Sequence, residues 1–333
     1  MKNTPKQLLT ASALLAGLVG FSSITQAADI DWDNGGATGL WSTNTNWVGD
    51  TLPGAADTAR IGHPFGTNPA TVDHATGTHT VATLEVGKGF GSAGTGTLDV
   101  TGGTLNTTNL TVGQYNSSVG SINVDGGALV ITNDANLGDT ANGTLSLSNG
   151  SVSFTDTAQL AFVQFGFGAG TGTIDISGGA WSGGRFNMGN GGTSVFNLSN
   201  STATFNAYGF QTGGAGTQTF DLTTDANGIT QLNTTVFTLG GTSDILNIDL
   251  SNYNIANGTS LTLVDAEFSN IAAMGTFDSV NIFGGTGTLN YTNDGSGAII
   301  TLDGITVVPE PSTYALLGGC FALSAVMLRR RQR

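Results

Sequence analysis

The sequence predicts an all-β fold, and more narrowly a parallel, right-handed β-helix with coils of about 23 residues. Three observations support this prediction. Glycine supplies 52 of the 333 residues, charged residues make up only 10%, and one ten-residue pattern recurs at a nearly constant interval. Each glycine inside a helix costs about 1 kcal/mol, which disfavours long helices. Short apolar pairs set among Thr, Ser and Asn are instead typical of short strands joined by tight turns.

The repeated segments provide the first evidence for coils. They read "GTLDVTGGTL" from Gly96, "GSINVDGGAL" from Gly120, "GTLSLSNGSV" from Gly143, "GTIDISGGAW" from Gly172 and, more loosely, "SVFNLSNSTA" and "TQTFDLTTDA". Their first apolar positions are spaced 24, 23, 29, 22 and 24 residues apart, at Leu98, Ile122, Leu145, Ile174, Phe196 and Phe220. A spacing of this kind is typical of the stacked units of a solenoid.

Each repeat also alternates in polarity. A second apolar column follows two positions later, at Val100, Val124, Leu147, Ile176, Leu198 and Leu222. The positions between the two columns are always polar: Asp99, Asn123, Ser146, Asp175, Asn197 and Asp221. Successive side chains of a strand point to opposite faces, so the pattern predicts buried apolar columns and an outward polar column.

A second strand is predicted in each coil. It ends in an apolar residue followed by glycine, at Val86, Val112, Leu137, Phe165 and Met188. Glycine at that point suits a turn with positive φ. About six such coils predict a rod roughly 30 Å long. The 29-residue step holds "AQLAFVQFGFG", which we interpret as a loop or a widened coil. A β-sandwich is the main alternative, but it does not require a constant period.

The chain divides into five predicted regions. Residues 1–27 form a signal peptide, 28–77 an N-terminal cap, 78–227 the β-helix repeats, 228–307 a C-terminal β-rich cap and 308–333 a sorting signal. The N-terminal cap contains three tryptophans, Trp32, Trp41 and Trp47. The sequence allows two roles for them: burial in the cap, or stacking on sugars.

The two ends of the chain predict export. The start has two lysines, an apolar stretch and small residues before a cleavage site at Ala27 or Ala28, the pattern of a secretory signal peptide. The end has prolines that interrupt regular structure, an apolar transmembrane helix over 314–328 and an arginine cluster expected to stay cytoplasmic.

The tail, "VPEPS" followed by an apolar run and arginines, resembles the PEP-CTERM sorting signals of exopolysaccharide-producing Gram-negative bacteria. The resemblance implies that a membrane-embedded exosortase is a partner, and that the inner membrane holds the chain transiently before it reaches the cell surface or matrix. The implied sorting residues are Pro309, Glu310, Pro311, Arg329, Arg330 and Arg331. Cys320 is then an apolar helix residue rather than a lipidation site, and a plain tail anchor is the alternative.

The charge of the body excludes nucleic acid as a partner. Between residues 28 and 308 there are 22 acidic residues against 3 basic ones, a net charge of −19. Such a surface repels phosphate backbones. The repeats resemble those of autotransporter adhesin passengers, which implies a shape and not an activity. We expect a non-catalytic structural or adhesive protein that binds extracellular polysaccharide; the alternative is a β-helical polysaccharide lyase or glycosidase.

Few residues of the repeats suggest chemistry. Lyases need a cation near the uronate, and only Lys88 and Arg185 are available, in different coils. The carboxylates Asp99, Asp175 and Asp221 share a column that Asn and Ser interrupt, so a solvated strand face is expected.

Metal and cofactor binding has little support in the sequence. We interpret His63, His74 and His79, near Asp73, as polar surface residues. No cofactor is expected. Oxygen-rich turns could still bind calcium, although the Gly-Gly-x-Gly-x-Asp pattern of calcium β-rolls is absent.

Overall fold

The structure is a computed structural model of the chain. It describes residues 27–308 except 116, 157, 255–257, 270, 294 and 296, together with Leu323 and Met327. Residues 1–26 of the predicted signal peptide, the Pro-Glu-Pro motif, Cys320 and the arginine cluster lie outside the described residues.

The regular secondary structure of the described residues is almost entirely β-strand. The strands are β1 (Asp29–Asp31), β2 (Thr58–Ile61), β3 (Ala70–Asp73), β4 (Thr78–Lys88), β5 (Thr95–Val100), β6 (Thr104–Gln114), β7 (Val119–Ile131), β8 (Ala135–Asp139), β9 (Asn142–Phe154), β10 (Phe162–Phe167), β11 (Thr171–Ile176), β12 (Ala180–Ser182), β13 (Arg185–Asn190), β14 (Thr193–Ser199), β15 (Thr204–Thr212), β16 (Thr217–Thr223), β17 (Leu232–Thr238), β18 (Asp244–Asp249), β19 (Leu261–Ala266), β20 (Ser279–Phe283), β21 (Gly285–Asn293) and β22 (Ala298–Val307). A 3-10 turn (Asn44–Asn46) and the four-residue α1 (Ile271–Met274) are the helical elements of the described part.

The strands stack into three parallel ladders, one for each side of a coil. Face A contains β1, β2, the second halves of β4 and β6, β8, β10, β13 and the second halves of β15 and β17. Face B contains β3, β5, the first halves of β7 and β9, β11, β14, β16, β18 and β20. Face C contains the first halves of β4 and β6, the second halves of β7 and β9, β12, the first halves of β15 and β17, and β19.

This arrangement confirms the predicted parallel β-solenoid and gives it about nine turns, where the sequence period showed six. On face B the strands are paired in the register that the repeats imply, so that Leu98 lies beside Ile122 and Ile122 beside Leu145. Both apolar columns are buried, as alternation along a strand requires.

The corner glycines behave as predicted. Gly113 adopts φ +60°, and its equivalents in the neighbouring coils also have positive φ: Gly87, Gly138, Gly166 and Gly189. A Cβ on Gly113 would overlap the carbonyl oxygen of Asn142, where the chain starts the next strand of face B. The corner therefore requires glycine both for its backbone conformation and for its space.

Parallel pairing extends beyond the repeats of residues 78–227. It starts with β1, and on face B it continues through β18 to β20. Pairing requires only alternating apolar positions and hydrogen-bonded backbones, so coils persist where the sequence period fades. The end of the solenoid is covered by antiparallel pairing of β22 with β19 and β21.

The 29-residue step is only partly a loop. The described residues between β9 and β10 (155, 156 and 158–161) lie outside the strands, whereas Phe162–Phe167 is the regular strand β10, paired in parallel with β8 and β13. The interpretation of the whole segment as a loop or widened coil is therefore corrected. The buried Val163 and Phe165 continue the core columns of face A, which places this half of the segment in the solenoid.

Candidate functional site

The loop 155–161 is locked beside the solenoid by one carboxylate. Asp156 accepts hydrogen bonds from the backbone N–H groups of Ala158, Leu160 and Ala161, at 2.9, 2.6 and 3.0 Å. These bonds favour the ionised form and lower the pKa of Asp156. The loop ends where the backbone N–H of Phe162 donates to Asp134 at 2.8 Å. An inserted segment held this way forms a fixed wall.

A groove of about 630 Å³ lies next to this wall. Its floor is an outward column of face C in which each residue pairs with the next coil: Ser182, Asn206, Asn233 and Asp265. Successive coils are roughly 4.8 Å apart, so the column spans about 14 Å. The groove thus presents a hydroxyl, two amides and a carboxylate in a row along the coil axis.

Tyr208 stands at the bend where β15 passes from face C to face A. It lines this groove and also a second depression of about 100 Å³ on face A. The second depression contains an outward column in consecutive coils: Phe162, Arg185, Gly209 and Val236. The inserted loop contributes Gln159, and the turn after β19 contributes Glu267. The two depressions adjoin at Tyr208 and together form the candidate site.

The three basic residues of the body have different surroundings. Arg60 forms ion pairs with Asp29 at 3.0 Å and Asp31 at 2.8 Å, and Lys88 pairs with Glu85 at 2.6 Å. Arg185 is exposed and has no ion pair among the described residues. It lies four coils from Lys88, roughly 19 Å along the axis. The two cations that the sequence offered to a lyase are therefore far apart, and of the two only Arg185 lines the candidate site, in its face A depression.

The aspartates of the repeat column do not form a carboxylate cluster. On face B, Asn123 and Ser146 separate Asp99 from Asp175, and one further asparagine separates Asp175 from Asp221. The side chain of Asn123 donates to Asp99 at 2.7 Å. Burial raises the pKa of Asp175. The column is a hydrogen-bonded polar ladder along the outside of the strand, as expected.

The histidines are not polar surface residues, and that interpretation is wrong. His74 is fully buried and His63 is 3% exposed. His74 donates through Nδ1 to the carbonyl of Gly102 at 3.0 Å and accepts from Nδ1 of His79 at 2.9 Å. The ring of His74 is buried because both of its nitrogens are hydrogen-bonded and because it packs against Trp41. His63 packs against Phe65 and Phe90, and its Nδ1 has no hydrogen-bond partner among the described residues.

The N-terminal tryptophans are core residues of the cap. Trp32, Trp41 and Trp47 are at most 1% exposed and meet edge to face, with centroids 5.0 and 4.8 Å apart. The indole N–H of Trp47 donates to the Trp41 carbonyl at 2.9 Å. The expectation of burial in the cap is confirmed. Because the three rings are buried, they cannot stack on sugars.

Both residues of the predicted cleavage site are described. Ala27 and Ala28 are exposed just before β1, and the Ala28 carbonyl accepts a hydrogen bond from the Thr58 N–H at 2.8 Å.

Within the described residues there is no helix long and apolar enough to cross a membrane. The same residues contain no group of three or more His, Cys, Asp or Glu side chains placed to hold a metal ion.

Comparison with protein-family models, with curated proteins and with solved structures finds no match to this chain. The candidate site therefore depends on its own geometry.

Sequence reasoning missed most of this groove. Three separate coil segments contribute these residues: Asn206 and Tyr208 on β15, Asn233 on β17, and Asp265 and Glu267 on β19 and the turn after it. No repeat pattern in the sequence links the three segments at these positions. The available signal was the 29-residue step, because an insertion in one coil builds a wall beside the coils that follow it.

Proposed function

We propose that this protein is a secreted, surface-sorted structural or adhesive component of an extracellular polysaccharide matrix, without catalysis of its own. The observation that carries the proposal is the groove, in which Ser182, Asn206, Asn233 and Asp265 are aligned along the coil axis beside Tyr208. A row of this length suits an extended chain molecule better than a compact metabolite.

The groove chemistry fits sugars. Hydroxyl and amide groups can each donate and accept, which matches the vicinal hydroxyls of a glycan. The tyrosine ring offers an apolar face for the C–H groups of a pyranose and a polar edge for water or hydroxyls. Binding clefts generally combine such an aromatic surface with a few placed polar groups. Several weak contacts along a stiff rod add up when ligand and rod are both repetitive.

Export and sorting belong to the same proposal and are supported by the sequence. The signal peptide directs the chain across the inner membrane, and the 314–328 helix holds it there transiently. An exosortase-type enzyme then recognises Pro309, Glu310 and Pro311, and the protein passes to the cell surface or matrix. The strongly acidic body fits a partner other than nucleic acid and allows cation bridging to anionic polysaccharide.

The sorting step is tested by intact mass and terminal peptides of the protein recovered from the producer's surface and medium. Loss of the residues beyond about Pro311 is expected, together with a new N-terminus at Ala28 or the next residue. Replacing Pro309, Glu310 and Pro311 by alanine should leave the tail uncut. A recovered protein that still carries its apolar tail and arginines would point to a plain anchor.

The binding step is tested by co-sedimentation of the exported protein with the producer's purified extracellular polysaccharide in the presence of calcium. Tyr208→Ala should reduce binding. Tyr115→Ala is the matched control, because Tyr115 is an exposed tyrosine at a different corner, with 45% of its surface accessible. Absence of binding by the unaltered protein would refute the adhesive role.

Cleavage of the same polysaccharide is the second candidate function. Asp265 and Glu267 both line the groove that contains Tyr208, and carboxylates beside a bound glycan are what glycosidases require. Release of reducing ends or unsaturated products from uronate and neutral polysaccharides would establish it. An Asp265→Asn variant should then lose turnover while still binding the polymer.

A further inference from the structure

Arg185 is a cation placed in an acidic protein without an acidic neighbour to neutralise it. The body carries a net charge of −19, and the described part shows ion pairs for Arg60 and Lys88 but none for Arg185. Its side chain is exposed on the wall of the face A depression. A guanidinium in that position is free to meet an anion from solution.

The surface beside Arg185 has room for a ligand group. Gly209 follows Arg185 in the outward column and Val236 follows Gly209. A Cβ at Gly209 would meet only ordinary contacts, the nearest being the Val236 carbonyl oxygen at 3.5 Å. The missing side chain therefore leaves an indentation next to Val236, in the depression that Arg185 and Tyr208 also line.

The opposite end of the groove has the opposite charge. Asp265 lies three coils beyond Ser182, roughly 14 Å along the axis. Glu267 adds a second carboxylate there, and Gln231 donates a hydrogen bond to the Asp265 carboxylate at 3.3 Å. A ligand that passes from the face A depression over Tyr208 and along the groove thus meets a cation at one end and two anions at the other.

We propose that the candidate site binds an acidic polysaccharide in a single direction, with the carboxylate of a uronate unit paired to Arg185 in the Gly209 indentation. The Tyr208 ring faces the next sugar. Uncharged sugars occupy the segment near Asp265 and Glu267, since a second carboxylate there is repelled. The inference rests on the proposed polysaccharide-binding function and names the chemical class of its ligand.

Arginine is suited to this role because its planar guanidinium donates two parallel hydrogen bonds to a carboxylate. A hydrogen bond to a charged group at such a site corresponds to roughly a 10- to 100-fold change in affinity. Lysine retains the charge without the paired geometry, so Arg185→Lys should lie between the native protein and Arg185→Gln.

The test uses the exported protein and the producer's extracellular polysaccharide in two forms, untreated and with its carboxyl groups chemically reduced to alcohols. We expect the native protein to bind the untreated form more tightly. Arg185→Gln should lose that preference and bind both forms about as the native protein binds the reduced one. Lys88→Gln is the charge-matched control and should keep the preference, because Lys88 is distant and paired with Glu85.

The outcomes separate the two proposals. Equal binding of both polysaccharide forms by the native protein overturns the uronate assignment while the proposed function stands. A carboxylate preference that survives in Arg185→Gln also overturns it, since the anion then binds elsewhere. Binding of neither form refutes the proposed function itself. Thermal unfolding of each variant confirms that an exposed substitution has left the solenoid folded.

Discussion

Phe186 and Phe210 stack face to face inside the solenoid, with ring centroids 4.3 Å apart and planes inclined by 17°. The two residues are direct partners in the parallel pairing of β13 with β15, and both are 1% exposed. Phe210 also packs against Phe237 in the next coil, with centroids 5.8 Å apart and planes inclined by 44°. Identical residues in register thus form a column of rings along the axis, which replaces the aliphatic columns of the first coils.

Replacing Phe210 by alanine should lower the free energy of unfolding by about 3–5 kcal/mol, because it removes a ring from the middle of this column and leaves a cavity. Phe90→Ala is the control, since Phe90 is 65% exposed and should change stability by less than about 0.5 kcal/mol. Chemical denaturation of both variants checks the difference. Similar losses in the two would mean that the rings do not form a packed column.

Replacing the corner glycine Gly113 by alanine should destabilise the fold severely, because the new methyl group meets the Asn142 carbonyl. Gly304→Ala separates strain from collision: Gly304 has φ +62° but no atom within 4 Å of a built Cβ. That variant should lose only about 1–2 kcal/mol, the cost of a left-handed residue with a side chain. Thermal unfolding should rank the native protein first, Gly304→Ala second and Gly113→Ala last.

Asp244 should make the free energy of unfolding decrease as the pH rises, which is the opposite of the usual effect of a carboxylate with a lowered pKa. Its carboxylate accepts from Thr212 at 2.9 Å and from the Gly241 N–H at 3.1 Å, yet it is 1% exposed and its other oxygen has no partner among the described residues. Burial, with a contribution from Asp278, raises the pKa of Asp244. Its share of stability is therefore fully present below the ordinary pKa and is lost as pH rises through the raised one.

Asp244→Asn should consequently be more stable than the native protein at pH 8, by about 1 kcal/mol, and the advantage should shrink towards pH 3. The buried amide of the neighbouring Gln218, whose two polar atoms also have no partner in the described part, offers a group for the new N–H. Asp249→Asn on the same strand is the control. An advantage that does not change with pH would show that the ionisation of Asp244 has no influence on stability.

His79, on β4, should make the N-terminal part of the solenoid sensitive to acid. Burial lowers the pKa of His79 below 6.5, and the neighbouring His74 lowers it further. For a base with a lowered pKa, stability is present above the unfolded value and is lost as pH falls through the folded value. The melting temperature of the native protein should therefore fall between pH 7 and pH 5 by more than that of His79→Gln. Parallel curves would exclude His79 as the titrating group.

The repeat columns show how far the sequence leads. Leu98 and Ile122 were assigned to neighbouring coils from spacing alone, and the structure pairs them. The glycine after each second strand was likewise assigned to a turn, and Gly113 has the positive φ expected there. These predictions succeed because alternation and glycine conformation are local properties that repeat in every coil.

The histidines show where prediction from the sequence fails. His74 and His79 are five residues apart and polar, and no local rule distinguishes a buried imidazole pair from two exposed rings. The burial of His74 depends on the Gly102 carbonyl and on Trp41, which approach from another coil and from the cap, and half-buried His79 is held by its hydrogen bond to His74. Distant partners of this kind have no signature in the sequence around a histidine.

By itself, the sequence determined the all-β class, the coil period, the inward and outward columns and the acidic charge of the body, because these follow from residue type and spacing. Only the tertiary structure decided the groove. Asp156 locks the inserted loop as a wall, and Asn206, Asn233 and Asp265 become neighbours through stacking of separate coils. Arg185 reaches Tyr208 for the same reason: stacking brings residues more than twenty positions apart within one coil rise of each other.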